Sequence, residues 1–302
     1  MNSSPLVSIV VPSFNQAPFL EECLASVLDQ TYPRREVIVI DGGSGDGSRE
    51  ILRRHERRLA YWVSEPDRGQ ASAVNKGWAR ARGGILGWLN SDDRLEPGAL
   101  ELVAGAYESH PDAALIYGDV REIDARGGAG GAKKMAGFSL RSLLLGKNMG
   151  QPGVFIPRST YETLGGLEET LHFALDFEYF LRAWTLFPDG GAYIPQVLAS
   201  SRVWEAAKTI KQGGRFGEEY RTVLEKYFSR ADLPSAIRGM RRRSLARSVY
   251  LRQARLYFQG GDGRRGVSWL MKAAWLEGSP LEAARMVRIA IDAWRQRGLY
   301  AV

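Results

Sequence analysis

Two neighbouring carboxylates, Asp92 and Asp93, close the segment WLNSDD, an apolar stretch from Trp88 that runs straight into acid. Hard divalent cations such as Mg²⁺ and Mn²⁺ take oxygen ligands and use only one or two carboxylates from a protein, leaving the other positions to water and phosphate. Paired acids at the end of a strand suit that chemistry; the plainer reading is an acidic turn that opens the next loop. Three more polar segments invite the same question: residues 13–15, residues 41–47 and residues 65–70.

Each of these segments sits where a strand should end. Residues 7–11 (VSIVV) are a β-branched run stopped by Pro12; residues 37–40, 61–64 and 85–89 are three further apolar runs. Between them lie helical patterns, one through Phe19, Leu20, Cys23, Leu24, Val27 and Leu28, one through Ile51, Leu52 and Leu59, and one over residues 71–81. Strands alternating with helices predict an α/β fold with a mostly parallel, Rossmann-like sheet flanked by helices, whose ligands bind outside the carboxyl ends of the strands. All four polar segments then share one rim. Residues 115–123 and 133–138 read as a hairpin turning through the glycines of RGGAGG, which no strand leads into a helix as a phosphate loop requires. GGSGDGS is not a dinucleotide fingerprint either, because GxGxxG follows the first strand and its third glycine is missing here.

Past Arg215 the pattern turns helical: residues 245–258 form one segment, Asp262 can cap a second carrying Val267, Leu270, Met271 and Trp275, and Ser279 with Pro280 opens a third that runs to Gly298. Trp269, Trp275 and Trp294 read as packing residues, although apolar faces with basic flanks also suit a membrane surface. The net charge of +7 hides an asymmetry, since residues 200–302 carry 21 basic against 9 acidic side chains. Such a tail suits anionic lipid, nucleic acid or an acidic partner. A single cysteine, Cys23, excludes an intrachain disulfide framework and a cysteine zinc site. The N-terminal segment has neither the basic start nor the apolar stretch of a signal peptide, and no run approaches the ~20 apolar residues of a membrane span. A cytoplasmic protein is expected, at most peripheral on the inner face of the plasma membrane.

Taken together, VSIVVPSFN, IDGGSGDGS, SEPDRGQASAVNKGW and GWLNSDD, followed by QPGVFIPR, LGGLEE, LDFEYFLRAW and IPQVLASSRVW, resemble the family 2 glycosyltransferases in order and spacing over the first 210 residues or so. The resemblance implies a GT-A fold over residues 1–214, with residues 215–302 a basic helical appendage. It also implies a nucleoside-diphosphate sugar donor (UDP, dTDP or GDP), Mn²⁺ or Mg²⁺, and transfer to an acceptor hydroxyl with inversion. It assigns Pro12, Ser13, Phe14 and Asn15 to the nucleotide, with Asp41 accepting from the base and Asp67, Gln70 and Lys76 near the ribose or diphosphate. Asp92 falls to the ribose or to a supporting position behind the metal ligand and Asp93 to the metal, with Asn90 standing where many relatives have Asp. A capping role is the alternative for Asp67, and solvation for Lys76.

An attacking hydroxyl must lose a proton, and one carboxylate can take it. Asp176 matches the family's base, although Leu175 replaces the usual preceding Glu; a first-turn acid is the plain alternative, and Glu178 the fallback. The family's Arg-x-His arrangement is incomplete, because Trp204 stands in place of the histidine. Arg202 and Lys208 are left as diphosphate contacts, while His55, His110 and His172 form no ligand cluster by spacing. The expected setting is bacterial surface polysaccharide or lipopolysaccharide assembly on a saccharide or lipid-linked saccharide acceptor, with peripheral membrane contact through the basic tail and no nucleic acid. The alternatives are nucleotidyl transfer to a sugar phosphate, which usually shows an early glycine-rich phosphate loop, and a non-catalytic nucleotide-binding scaffold.

Overall fold

The computed structural model describes residues 4–204, 213–259 and 261–295. The chain divides into two units, Met1–Ser139 with Met149–Arg202, and Leu140–Asn148 with Val203–Val302. The division thus falls at 202/203 rather than at the expected 214/215, and a short segment from the middle of the chain joins the helical unit.

In the first unit, β1 (Val7–Ser13), β2 (Arg35–Asp41), β3 (Tyr61–Ser64) and β4 (Ile85–Trp88) form a parallel array in the order β3-β2-β1-β4. Their register sets the site: Ser13 pairs with Asp41, and Asp41 with Ser64, so the three strands end level with one another. Side chains alternate across a strand. Val7, Ile9 and Val11 therefore point together into a core with Leu20, Leu24 and Val27 of α1 (Ala17–Leu28) and Leu100 and Val103 of α4 (Ala99–Ser109), between which α2 (Ser48–His55) and α3 (Gln70–Arg80) occur in the chain. On α3, the fully buried Trp78 meets the rings of Trp88, Tyr161 and Tyr179 at 5.6, 5.7 and 5.7 Å. Burial of side chains of this size contributes roughly 1.5–3 kcal/mol each.

Past β4 the sheet becomes mixed. It continues through β8 (Val154–Pro157), β6 (Leu115–Ile123), β9 (Gly191–Arg202) and the short β5 (Arg94–Leu95), with β7 (Ala129–Lys133) pairing on β6. β7 corrects the expected hairpin, because Gly130 and Gly131 of RGGAGG lie in the returning strand and only Gly127 and Gly128 in the turn: Val120 pairs with Lys133 and Ile123 with Ala129. The turn is tighter and lies earlier, where Asp124 Oδ1 accepts the N–H groups of Arg126 and Gly128, both at 2.8 Å. An exposed edge strand has no buried face to fix its register, so the side-chain-closed turn decides it.

The helical unit contains α5 (Leu140–Leu144) and, after α6 (Arg158–Leu164) and α7 (Leu175–Leu186) of the first unit, α8 (Gly213–Phe228) and two short helices, α9 (Ser235–Arg238) and α10 (Arg241–Ser244). A π-helical stretch, Leu245–Leu251, then leads into α11 (Arg252–Gln259), α12 (Gly263–Glu277) and α13 (Pro280–Arg295). Ala246, Leu251, Ala254, Phe258, Leu270, Ala273 and Met286 make its core. Asp262 caps α12 as expected, accepting from Arg265 N at 3.0 Å. Trp269 packs against Tyr250 and Tyr257, but Trp275 is 76% exposed and is no packing residue. The side chain of Trp294 lies outside the described residues.

Candidate functional site

Asp41 closes β2 with its side chain fully buried. Its Oδ2 accepts from Gly43 N at 3.2 Å, Ser44 N at 2.9 Å and Ser64 Oγ at 2.6 Å, and its Oδ1 from Ser44 Oγ at 2.5 Å. A carboxylate has about four acceptor positions. Asp41 takes four donors of the chain itself, three of them on Oδ2, and so shapes the loop that follows it. Asp41→Ala would orphan those donors, and a loss of ~3 kcal/mol in folding stability is expected from denaturant titration.

The loop thus shaped presents bare backbone at Gly42. A Cβ there would lie 3.0 Å from Asp67 Oδ2 and 3.3 Å from Phe14 Cδ2, so only glycine lets these two side chains stand on either side of it. Phe14 is 60% exposed, an aromatic face open for stacking. Asn15, with φ 52°, clamps the loops after β1 and β2: its N–H donates to Ser44 Oγ at 2.8 Å, and its Oδ1 accepts from Gly45 N at 3.0 Å. Ser13 accepts from Gly42 N through its carbonyl at 2.8 Å, while its buried Oγ has no hydrogen-bond partner among the described residues. Pro12 is buried in β1 opposite Ile40.

The turn of residues 67–70 is where these loops meet the rest. Asp67 Oδ1 accepts from Gly69 N at 2.7 Å, an Asx turn ahead of α3, whose cap position is Gly69 itself, while its other oxygen faces Gly42. Gly69, at φ +113°, is approached by His172, whose Nδ1 would lie 3.2 Å from a Cβ at that position. Gln70 opens α3 and donates from Nε2 to Asn90 Oδ1 at 2.6 Å. Lys76, by contrast, pairs with Glu65 at 2.5 Å.

Asn90 is the hub of the acidic segment. Its Oδ1 also accepts from Trp88 Nε1 at 3.2 Å, and its Nδ2 donates to Asp93 Oδ2 at 3.1 Å and to Gln151 Oε1 at 3.2 Å. Gln151 in turn donates to the carbonyl of Trp88 at 2.7 Å. Asp93 is 4% exposed, and its Oδ1 accepts from Arg202 N at 2.8 Å. Burial first, and the Asp92 carboxylate second, push the Asp93 carboxyl well above its ordinary value, against hydrogen bonds from Arg202 N, Asn90 and Ser201. Asp92 is half-buried.

Arg202 is not free for a diphosphate. Its side chain is 1% exposed; Nε donates to Asp92 O at 2.9 Å, one terminal nitrogen to the carbonyls of Asp124 and Ala125, and the other to Glu22, with the guanidinium over the Phe19 ring. It fixes the backbone of the acidic segment. Lys208 lies outside the described residues.

Asp176 stands in the first turn of α7, half-buried, with Oδ1 accepting from Phe177 N at 2.8 Å. Buried Phe177, Tyr179 and Phe180 fix the helix around it. Glu178 places both oxygens on Arg182 Nε, which ties it to the carbonyls of Leu164 and Gly166 and removes it as a fallback base. Gln151 and Ser64 were missed by sequence reasoning, and Gly42 and Ser44 were marked only as part of the 41–47 segment. Only Gly42 carried a signal, as a glycine directly after a strand-ending acid.

Two adjacent oxygen donors, one of them a buried carboxyl whose ionisation a cation would favour, fit a hard divalent metal completed by phosphate and water. The described residues hold no group of three or more His, Cys, Asp or Glu that would cage an ion without such help.

The family described as Glycosyl transferase family 2 matches residues 8–161. An uncharacterized glycosyltransferase of Mycobacterium tuberculosis (strain CDC 1551 / Oshkosh), MT1564, is 38% identical over 190 residues, 61% of this chain and 70% of that protein. TuaG of Bacillus subtilis (strain 168), a putative teichuronic acid biosynthesis glycosyltransferase, is 40% identical over 103 residues, 33% of this chain and 41% of its own length. Among solved structures, residues 1–349 of S. aureus TarS in complex with UDP-GlcNAc superpose with a TM-score of 0.65 at 17% identity, covering 97% of this chain and 90% of that one. The mannosyltransferase PcManGT of Pyrobaculum calidifontis, in complex with GDP-Man and Mn²⁺, gives 0.64 at 20% identity, covering 96% and 81%.

Proposed function

This chain belongs to glycosyl transferase family 2, has the GT-A fold of its structural neighbours, and from that premise we propose that it is an inverting, metal-dependent transferase moving a sugar from a nucleoside diphosphate to an acceptor hydroxyl. The observation that carries the reading is the turn of residues 67–70, which touches Gly42 through Asp67, Asn90 through Gln70 and His172 through Gly69. One rim thereby gathers an open aromatic face, an acidic pair and the segment leading to Asp176.

In this reading Phe14 stacks on the base, a contact worth ~1–3 kcal/mol, and Asp67 and the backbone around Gly42 orient the ribose side. Asp93 would hold Mn²⁺ or Mg²⁺, with Asp92 beside it contacting the ribose or supporting the metal ligand; the cation when bound supplies positive charge toward the departing diphosphate. Asp176 takes the proton of the acceptor hydroxyl as its oxygen bonds to the anomeric carbon. The bond from that carbon to the diphosphate oxygen breaks with its electron pair leaving on the nucleotide, and a single displacement inverts the centre. No general acid is required for so weakly basic a leaving group. The named role of TuaG in teichuronic acid biosynthesis supports a surface polysaccharide setting; a saccharide or lipid-linked saccharide is the acceptor in this reading.

Thermal unfolding with UDP, dTDP and GDP, each with Mn²⁺, selects the donor base: a nucleotide at 100 times its dissociation constant stabilises the fold by ~2.7 kcal/mol. Turnover should release nucleoside diphosphate. Pyrophosphate release would replace glycosyl transfer by nucleotidyl transfer.

A further inference from the structure

The helical unit carries an apolar face that its own core leaves uncovered. On α12, Val267, Met271 and Trp275 follow one another at four-residue spacing and are 49%, 68% and 76% exposed. On α13, Val287 and Ile291 repeat that spacing at 41% and 44%. Between the two helices runs an almost wholly apolar groove of ≈ 650 Å³, lined by Phe258, Arg264, Val267, Leu270, Val287 and Ile291. Side chains four apart share a helix face, so Met271 and Trp275 continue the stripe of Val267 along α12, and Val267 meets Val287 and Ile291 of α13 at the groove; contiguous apolar surface on a soluble protein marks an interaction site.

The charges around that surface identify its partner. Arg264 stands at the groove, Arg265 and Lys272 are exposed along α12, Arg288 is exposed beside Val287, and the Arg242 guanidinium lies 6.0 Å over the Trp275 ring. The acid nearest Trp275 in sequence, Glu277, is withdrawn: its side chain is 1% exposed and paired with Arg247 at 2.9 Å. Asp262 caps α12, and Asp292 is the described acid on the exposed side of α13. Residues 200–302 as a whole carry 21 basic against 9 acidic side chains.

We propose that the exposed faces of α12 and α13 seat this chain on an anionic lipid surface, with Val267, Met271, Trp275, Val287 and Ile291 entering the boundary between headgroups and acyl chains and the flanking arginines and Lys272 meeting lipid phosphates. A second copy of the chain would bring two like-charged rims together. A nucleic acid would complement the charge and leave the Met and Trp stripe in water. A bilayer satisfies both halves, because tryptophan and apolar side chains belong at its interface and basic side chains in its surface potential. No described helix is long and apolar enough to cross the membrane, so the face lies along it. The inference rests on the helical unit alone and is independent of the sugar-transfer reading.

The test is flotation of the full chain with vesicles of phosphatidylcholine, alone or mixed with phosphatidylglycerol, at low and high salt. The chain should rise with the mixed vesicles at low salt, stay behind with the neutral ones, and be released as salt increases. Met271→Ser combined with Trp275→Ser should lower the partition about tenfold or more. Arg264→Gln, Lys272→Gln and Arg288→Gln together should do the same and flatten the salt dependence, at about fivefold per charge. All five side chains are exposed, and unchanged thermal melting separates lost docking from lost folding. Failure to float on mixed vesicles at low salt, or equal flotation of the Met271/Trp275 variant, would overturn the proposal. So would a concentration-dependent dimer in sedimentation that the same substitutions dissolve.

Discussion

Asp176→Asn should lower kcat by about 10²–10⁴-fold, the usual worth of a positioned general base, with little change in donor affinity or melting temperature. The amide keeps the volume of the carboxylate and can still accept from Phe177 N, so the helix start is preserved. Glu178 cannot substitute, because both of its oxygens are committed to Arg182. In the proposed reading donor binding comes from Phe14, the backbone at Gly42 and the acidic segment, so KM for the nucleotide sugar should hold while kcat falls. Steady-state kinetics with a fixed acceptor checks both. An unchanged kcat would remove Asp176 as the base and direct attention to His172, the titratable group against the 67–70 turn.

The parallel half of the sheet was legible because its signal is local. VSIVV and VIVI are continuous β-branched runs, and their register falls where the polar residues begin, which is why the rim of strand ends could be placed at all. What escaped depends on partners distant in sequence. Asp41 reads as an exposed strand-end acid until Ser64 arrives from the neighbouring strand to satisfy it. Arg202 reads as a free cation until β9 lays it beside the carbonyls of the acidic segment and Glu22 of α1. Gln151 lies 61 residues from Asn90, and no spacing rule links them. In the tail, the helix pattern was periodic enough to give the cap at Asp262, but periodicity does not say which stripe is covered. Trp269 and Trp275 look alike in sequence; one stacks on tyrosines, and the other faces outward.

The second large effect expected is at Asp93. Asp93→Asn should cut cation-dependent turnover by about 10²–10³-fold, the scale of losing one preorganised electrostatic group, while removing a pH-dependent cost from the metal-free fold. The sign follows from the raised value of the native carboxyl. Below the unfolded value of ~3.9, both states hold the proton and the group costs nothing. As pH rises past that point the unfolded chain releases its proton first, so the native state binds more protons and stability declines with pH until the native value is reached. An asparagine does not titrate, so this decline should vanish from denaturant unfolding measured in chelator, from pH 4 upward as an approximate window. A constant offset is expected as well: the new amide still accepts from Arg202 N but sets its NH₂ against that of Asn90, whose own orientation is fixed by Gln70, Trp88 and Gln151. The slope, not the absolute stability, is therefore the readout. Cation should act oppositely on the native protein, since binding needs the ionised carboxylate, and Mn²⁺ stabilisation in the presence of nucleoside diphosphate should grow with pH in the native chain and disappear in the variant. Undiminished Mn²⁺ stabilisation in Asp93→Asn would take the metal away from this carboxylate.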